Sequence, residues 1–172
     1  MQYLRDFLKT AHNSASMQPD DSSWIDTADV PNKAGWYYIS TNAPIELLAR
    51  QELWQQEYPK RRSGHVTPVR NYDLAARSRR HCQALSTFWN TKHVYSGFAK
   101  NLRTRAREHT LPDPGTAALA LGRYPELANY SWQFSYLTLE GFMPACPNPT
   151  FILRLGEQIW RAENGWPVLC AA

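Results

Sequence analysis

The sequence predicts one mixed α/β (α+β) domain with a small, mainly antiparallel sheet of three strands that is flanked by helices. Three short segments have the composition of β-strands, and stretches with helical periodicity lie before, between and after them. The chain of 172 residues has the size of a single domain and is long enough to bury a core. Its hydrophobic share of 43% and charged share of 20% are typical of a globular protein and argue against a disordered chain.

The three predicted strands are rich in aromatic residues. The first is WYYIS at 36–40, and the second lies in KHVYSG at 92–97. The third, YSWQFSYLTL at 130–139, alternates between aromatic and small polar residues, which is the pattern of a strand with one buried face. Because consecutive residues of a strand point to opposite faces, Tyr37 and Tyr38 are expected on different sides of the sheet.

Helices are predicted near both ends of the chain and in a long insert. A first amphipathic helix and a loop rich in Ser, Asp and Pro occupy residues 1–34. A basic helical insert at 41–92 separates the first two strands. Near the C-terminus, Asn148 is a candidate N-cap for a helix that has Pro149 at its first position and ends at Gly165.

The segment FAKNLRTRAREH at 98–109 predicts a helix whose core-facing side includes charged and polar residues. On a helical wheel Leu102 and Ala106 face the core, and Arg105 and His109 lie one turn apart within the same half. Lys100, Thr104 and Arg107 point away. An ordinary explanation is that Arg105 extends to the surface and that His109 is a hydrogen-bonded histidine at a helix end.

The tripeptides Gly35-Trp36-Tyr37 and Tyr95-Ser96-Gly97 are followed, eight residues after Gly97, by Arg105 on the predicted helix. In this order they resemble the two motifs and the arginine helix of the GIY-YIG nuclease superfamily, which also has a histidine four residues after the arginine. The family carries a glutamate on a later helix behind a third strand, and Glu157 stands in that place.

The chain departs from the family pattern at three points. Trp36 and Ser96 replace isoleucines of the two motifs. About 55 residues separate the motifs, whereas the family usually has a short hairpin there. An asparagine often follows the family's glutamate by a dozen or so residues; Cys170 stands at that distance here and Asn164 comes earlier, so the holder of that role stays open.

The resemblance implies a divalent-metal-dependent endonuclease that hydrolyses DNA phosphodiester bonds with Mg²⁺ (or Mn²⁺). Arg105 suits the phosphate because its guanidinium donates two hydrogen bonds and stays charged, and His109 would be a further donor. By resemblance, Glu157 would hold the metal, for which one carboxylate is enough, since Mg²⁺ keeps several waters. Taken by itself, Glu157 would be a solvated glutamate paired with Arg161.

The resemblance further implies that Tyr37 is the general base and that Tyr95 orients the water or shares the proton. A free tyrosine has a pKa of about 10, which nearby cations and a metal would lower. Gly35 and Gly97 are the structural glycines of the motifs. His93 lies two residues before Tyr95 and is expected on the same face. The ordinary explanation of both tyrosines is a half-buried strand position with a solvated hydroxyl.

The basic residues are concentrated in the insert. Residues 41–92 contain nine Lys and Arg against four acids, and this surplus of five exceeds the net charge of +4 for the whole chain. Lys60, Arg61 and Arg62 are expected in a loop between two helices, and Arg77, Arg79 and Arg80 on the next helix. We expect these six residues to contact nucleic-acid phosphates, although charge runs are often only solvated faces.

Other functions stay open on this sequence. A nuclease for single-stranded DNA or RNA would use the many aromatic residues for base stacking. A non-catalytic nucleic-acid-binding module on the same scaffold, or a small interaction protein with accidental motifs, is a further alternative. Recognition of the nucleic acid would fall to the domain itself, to its insert, or to a second copy in a homodimer.

The cysteine pattern and the hydropathy predict a cytoplasmic protein without a membrane segment. Cys82, Cys146 and Cys170 are odd in number and have no CxxC spacing, which favours reduced thiols. The charged N-terminus lacks the apolar core of a signal peptide, and the longest clean apolar run, at 117–121, is too short to cross a bilayer.

Overall fold

A computed structural model describes most of the chain as a mixed α+β fold with a mainly antiparallel sheet. The described residues are 2–53, 55–62, 64–82, 88–112, 117–143 and 147–170. The strands are β1 (Asn13–Met17), β2 (Gly35–Thr41), β3 (Glu57–Arg62), β4 (His65–Arg70), β5 (Trp89–Asn90), β6 (His93–Ala99), β7 (Trp132–Thr138) and β8 (Trp166–Pro167). The α-helices are α1 (Gln2–Leu8), α2 (Ser23–Thr27), α3 (Ile45–Leu48), α4 (Leu74–Ser78), α5 (Leu102–Thr110), α6 (Leu139–Phe142) and α7 (Pro149–Asn164).

The main sheet has four strands in the order β1-β7-β2-β6, and every neighbouring pair is antiparallel. The predicted number of three strands is therefore wrong. The additional strand, β1, lies in a stretch for which the sequence predicts a loop. Ala15 and Met17 are buried and Ser14 Oγ hydrogen-bonds Ser135 Oγ at 2.8 Å, so pairing with β7 organises a segment of small polar residues that have little strand propensity.

The two sequence motifs lie opposite each other on the neighbouring strands β2 and β6, at one end of this sheet. In the β2–β6 register, Tyr37 lies opposite Gly97, and in the β2–β7 register it lies opposite Tyr136. β6 is an edge strand, because the sheet order ends there. A side chain from either face of the sheet can therefore approach the Tyr95-Ser96-Gly97 motif.

Helices cover both faces of the sheet, as predicted. On one face, Leu102 and Ala106 of α5 are fully buried against Tyr37 and Ile39, which confirms the wheel of that helix. On the other face, α7 packs Leu153 and Ile159 into a second cluster with Trp36 and Leu137.

The ends of α7 follow the predicted signals. Asn148 Oδ1 accepts the N–H of Phe151, and Gly165 ends the helix with a φ of 83°.

The insert contains a β-hairpin where the sequence predicts a basic loop between two helices. β3 and β4 pair with Pro59 opposite Pro68, and Gly64 adopts a φ of 82° in the turn region. Proline is disfavoured in the interior of a helix, whereas the strands of a two-stranded hairpin are edge strands and tolerate it. Lys60, Arg61 and Arg62 therefore belong to a strand and not to a loop between helices. The helical parts are α3, α4 and a 3₁₀ turn at Arg79–Cys82.

No helix in the described part of the chain is both long enough and apolar enough to cross a membrane. Cys170 is a free, buried thiol. The side chain of Cys82 and the whole of Cys146 lie outside the described residues.

Candidate active site

The hydroxyl of Tyr37 is the centre of a buried polar cluster. Arg105 Nε donates to it at 3.0 Å, and His109 Nε2 lies 2.9 Å from it. The backbone N–H of Leu119 donates to His109 Nδ1 at 3.1 Å, so Nδ1 is an acceptor. A neutral imidazole must then carry its proton on Nε2. The Tyr37 oxygen therefore accepts two hydrogen bonds, one of them from a cation.

His109 is fully buried, and its charged form is disfavoured there. Burial, together with repulsion from Arg105, lowers the pKa of His109 well below its ordinary value. At neutral pH this residue is an uncharged donor to Tyr37. The inward position predicted for His109 and Arg105 is confirmed, as is the outward position of Arg107.

The two motif glycines allow close approach at this site. A Cβ atom on Gly97 would lie 2.6 Å from the Tyr37 hydroxyl oxygen, so the phenol crosses the edge strand where there is no side chain. A Cβ atom on Gly35 would lie 2.1 Å from the carbonyl oxygen of Leu137 and 2.9 Å from Leu102 Cδ1. Any larger residue at either position would displace the tyrosine, the neighbouring strand or α5.

Arg105 joins Tyr37 to the second motif tyrosine. Its Nη2 donates to Tyr95 Oη at 3.3 Å, and its Nη1 forms an ion pair with Glu108 at 2.7 Å. The side chain is 18% exposed, which is too little for the surface cation of the ordinary explanation. Burial opposes its charge, but the pKa of Arg105 is raised, because at the high pH where a guanidinium titrates Tyr37 and Tyr95 are ionised beside it and Tyr37 and Glu108 accept its hydrogen bonds. The guanidinium stays charged.

Burial dominates the ionisation of both tyrosines. It raises the pKa of Tyr37 well above the ordinary value, and repulsion from Tyr95 adds to this, while Arg105 acts in the opposite direction. Burial also raises the pKa of Tyr95, again opposed by Arg105. The cation lowers both values, as expected from the sequence, but its effect is smaller than that of burial. Both groups are phenols in the protein alone.

Glu157 approaches the edge strand from the opposite face of the sheet, on α7. Arg161 Nη2 donates to its Oε1, and the same arginine donates to Ser96 Oγ at 2.9 Å and to Ser96 O at 3.0 Å. The Glu157 and Arg161 side chains are only 13% and 10% exposed, so the simple expectation of a solvated pair is wrong. Burial raises the pKa of Glu157, and the attraction of Arg161 and Arg105 opposes it.

A small cavity lies beside the edge strand. Tyr37, Ser96, Gly97 and Glu157 all contribute to its lining. The influence of Arg105 on the pKa of Glu157 also places the two side chains within electrostatic range. Residues from β2, β6 and α7 thus line one cavity, and Arg105 of α5 is joined to it through its hydrogen bond to Tyr37.

Of the two candidates for the family's C-terminal asparagine, only Cys170 lies beside this group in the described structure. Its Sγ accepts the backbone N–H of Ser96 at 3.2 Å, because Leu169 pairs with Val94 of β6. Asn164 is occupied elsewhere: its side chain donates to Trp160 O, and its carbonyl accepts from Asn90. The spacing from Glu157 therefore predicts which residue lies beside Ser96, but a thiol stands there in place of an amide side chain.

His93 does not share a face with Tyr95, contrary to the alternation rule. The register of β2 and β6 shifts between Ile39 and Ser40, and this bulge turns His93 over. Its ring contacts Tyr38, with centroids 4.6 Å apart, on the side of the sheet that α7 covers. Tyr38 stacks on Trp160 there, so its predicted separation from Tyr37 is confirmed.

The basic residues of the insert do not act as one set. Arg77 lies over the ring of Tyr72 at 5.9 Å, and Arg80 Nη1 donates to Cys170 O at 3.3 Å, near the Tyr37–Arg105 cluster. Arg79 instead bonds Glu52 and the carbonyl oxygen of Ala49. Lys60 is exposed on β3, and the side chains of Arg61 and Arg62 lie outside the described residues.

The donor set suits a hard cation held by few protein ligands. Glu157 supplies one carboxylate, and no described residue hydrogen-bonds its Oε2. Within the described residues there is no group of three or more His, Cys, Asp or Glu that could hold a metal ion. Mg²⁺ is commonly bound by one or two carboxylates together with water and substrate phosphate.

The arrangement as a whole combines a buried cation, a phenol with two donors to its oxygen and a nearby carboxylate, which are groups able to bind and polarise a phosphodiester.

Comparisons of this chain with protein-family models, with curated proteins and with solved structures found no match.

Proposed function

We propose that the protein is a divalent-metal-dependent endonuclease of the GIY-YIG type that hydrolyses DNA phosphodiester bonds. The observation that carries the proposal is the double hydrogen bond to Tyr37 from Arg105 and His109, with Tyr95 on the same guanidinium. Tyr37 lies on β2 and Tyr95 on β6, and Arg105 and His109 both lie on α5. A set of core tyrosines with solvated hydroxyls would not require this convergence.

Arg105 is proposed to stabilise the charge that develops on the phosphate during cleavage. Its raised pKa keeps the guanidinium charged, and Glu108 holds one side of the guanidinium fixed. A fixed, poorly solvated donor is more effective than one in water because it need not reorganise when charge develops. Arg107 on the same helix is exposed and has no comparable role.

Tyr37 is proposed to accept the proton of the attacking water. Its oxygen is the one atom where negative charge would be met by both Arg105 and the neutral His109. Because burial raises the pKa of Tyr37, this role requires the phenol first to release its own proton to solvent, and the tyrosinate then takes the proton of the water. Glu157 would hold the Mg²⁺, which when bound supplies positive charge to the phosphate and the leaving oxygen.

The basic side chains of the insert are proposed to hold the nucleic acid on either side of the cut. Arg77 and Arg80 lie near the site, and Lys60, Arg61 and Arg62 follow one another along β3 of the hairpin. Arg79 is the weakest of the six predicted contacts, since it is already paired with Glu52.

The proposal is tested with Glu157→Gln on three substrates. Duplex DNA, single-stranded DNA and RNA are each incubated with Mg²⁺ or with chelator. We expect the wild type to cut duplex DNA in Mg²⁺ only, and Glu157→Gln to lose more than about tenfold in cleavage rate while its affinity stays near wild type. The amide oxygen of glutamine can still accept from Arg161, so the fold should be retained.

Glu163→Gln is the matched control. Glu163 lies on the same helix but pairs with Arg5 at 2.7 Å on the surface, and its loss should leave cleavage unchanged. Binding of DNA without any metal-dependent cleavage would identify a binding module instead. Exclusive cutting of RNA or of single strands would replace the proposed substrate.

A further inference from the structure

A cavity of about 640 Å³ lies on the side of the sheet that α7 covers. Four rings line it, those of His12, Tyr38, His93 and Trp160. Exposed residues of the loop between α1 and β1, Ala11 among them, form part of its rim, and the cavity opens to solvent. A ligand can therefore enter it from outside the protein.

This cavity adjoins the candidate active site. His12, Tyr38 and Trp160 line both the larger cavity and the small cavity to which Glu157 and Gly97 contribute. The two spaces therefore share a wall. A group bound in the larger cavity would lie next to the carboxylate that is proposed to hold Mg²⁺.

The rings of the cavity wall support one another. Tyr38 stacks on Trp160, with centroids 5.3 Å apart and an angle of 21° between the planes. His93 meets both rings edge-on, at 4.6 Å from Tyr38 and 5.7 Å from Trp160. His12 lies 5.0 Å from Tyr38, and the surfaces of His12, Tyr38 and His93 are only partly buried. Fixed, accessible rings of this kind suit a nucleobase, because every base has a flat face that stacks on them.

The two histidines can add hydrogen bonds to this stacking surface. Burial lowers the pKa of His93, and it also lowers that of His12, where repulsion from His93 adds to the effect and a hydrogen bond to Thr10 opposes it. Both rings are therefore uncharged at neutral pH. Because His12 Nδ1 donates to the carbonyl oxygen of Thr10 at 3.1 Å, its Nε2 is an acceptor. An acceptor there suits the N–H groups on the edge of a base.

We infer that this cavity binds one unpaired base of the nucleic acid, which leaves the stack next to the phosphate that is cut. The inference rests on the proposed function, in that the substrate is a nucleic acid. The volume is that of a pocket for a small ligand, so an extruded base can enter it, whereas a base that stays within a stacked duplex cannot. Extrusion costs least for a base that is already unpaired.

The test uses two DNA duplexes that differ only at one bulged position, which carries either an unpaired adenine or an abasic site. Affinity is measured in chelator, so that cleavage does not affect the result. We expect the wild type to bind the duplex with the unpaired adenine about tenfold more tightly, which is the usual effect of stacking one base on aromatic side chains.

Tyr38→Ala should lose most of this preference and His12→Ala should lose part of it, because each removes a ring from the cavity wall. Phe151→Ala is the matched control, since Phe151 lies on α7, is 60% exposed and does not line the cavity. It should keep the wild-type preference. Melting temperatures are measured for all three variants. If Tyr38→Ala does not fold, His12→Ala decides, because His12 lies in a loop and is only partly buried.

Equal affinity of the wild type for the two duplexes would overturn the inference, and so would a full preference in both cavity variants. Tight binding of free deoxyadenosine monophosphate without a preference between the duplexes would also overturn it, in favour of a small-molecule ligand. If the wild type cuts ordinary duplex DNA in Mg²⁺ but shows no preference, only the base pocket is wrong. If the preference is present but nothing is cut in Mg²⁺, the nuclease proposal fails and the base pocket stands.

Discussion

At the scale of single residues, Arg105 has more partners than a surface arginine needs. One guanidinium contacts two tyrosines and a glutamate, and its Nη2 also donates to the carbonyl oxygen of Ala117 at 3.4 Å. The planar arrangement of its N–H groups makes this possible, since a lysine presents a single nitrogen. Arg105 therefore fixes the relative positions of Tyr37 and Tyr95 in addition to carrying charge.

Replacing Arg105 with lysine should therefore inactivate the protein even though the charge is kept. We expect Arg105→Lys to lower cleavage by about a hundredfold or more, the usual effect of removing one donor to a developing oxyanion. Arg107→Lys, two residues away on the exposed side, should stay within about twofold of wild type. The measurement is the cleavage rate at saturating Mg²⁺. Equal losses in the two variants would refute the assignment of Arg105.

At the scale of secondary-structure elements, α7 reaches the site because a glycine lets it approach the sheet. Trp36 Nε1 donates to the carbonyl oxygen of Leu153 at 2.8 Å, and a Cβ atom on Gly156 would lie only 2.3 Å from that same indole nitrogen. The indole occupies the space where a side chain would be. Glu157 is the next residue, so the close approach of Gly156 to Trp36 determines how near Glu157 lies to Gly97.

Gly156→Ala should push α7 away from the sheet. Overpacking of this kind costs about 1–3 kcal/mol, so the melting temperature should fall by several degrees, and cleavage should fall with it as Glu157 moves. Gly141→Ala is the control, because a Cβ atom there would find its nearest neighbours at 3.5 Å. Alanine in α6 should be neutral or slightly stabilising. A Gly156→Ala variant with wild-type stability and activity would contradict this account of α7.

At the scale of the whole molecule, positive charge is unevenly distributed. The insert holds a surplus of five positive charges, whereas the entire chain has a net charge of +4, so the remainder of the chain is slightly acidic. Such asymmetry favours approach of a polyanion from the side of the insert. The hairpin of β3 and β4 contributes Lys60, Arg61 and Arg62 to it.

Changing Lys60, Arg61 and Arg62 together to glutamine should weaken binding to nucleic acid and flatten its dependence on salt. The slope of log affinity against log salt should drop by a little under one for each phosphate that the protein no longer neutralises. Arg70→Gln is the control, because Arg70 on β4 already pairs with Glu57 at 3.1 Å. Titrations at several salt concentrations measure both. An unchanged slope in the triple variant would leave the hairpin with a structural role only.

The sequence alone determined the features that depend on local periodicity and capping. The wheel of α5 placed Leu102 and Ala106 in the core and turned Arg105 and His109 inward. Asn148, Pro149 and Gly165 marked the ends of α7. These predictions hold because a helix face and a cap are specified by residues within one or two turns. The predicted order of the segments that carry Tyr37, Tyr95, Arg105 and Glu157, namely strand, strand, helix and later helix, is also found in the structure.

Only the tertiary structure decided which distant segments pair. β1 is a strand because it pairs with β7, and part of the insert is a hairpin because β3 pairs with β4. A bulge places His93 on the other face of the sheet. Packing of α7 against the sheet buries the ion pair of Glu157 and Arg161. Cys170 reaches the site through its contact with Ser96, a residue far from it in sequence. Strand pairing, bulges and desolvation depend on such neighbours, and periodicity along the chain carries no record of them.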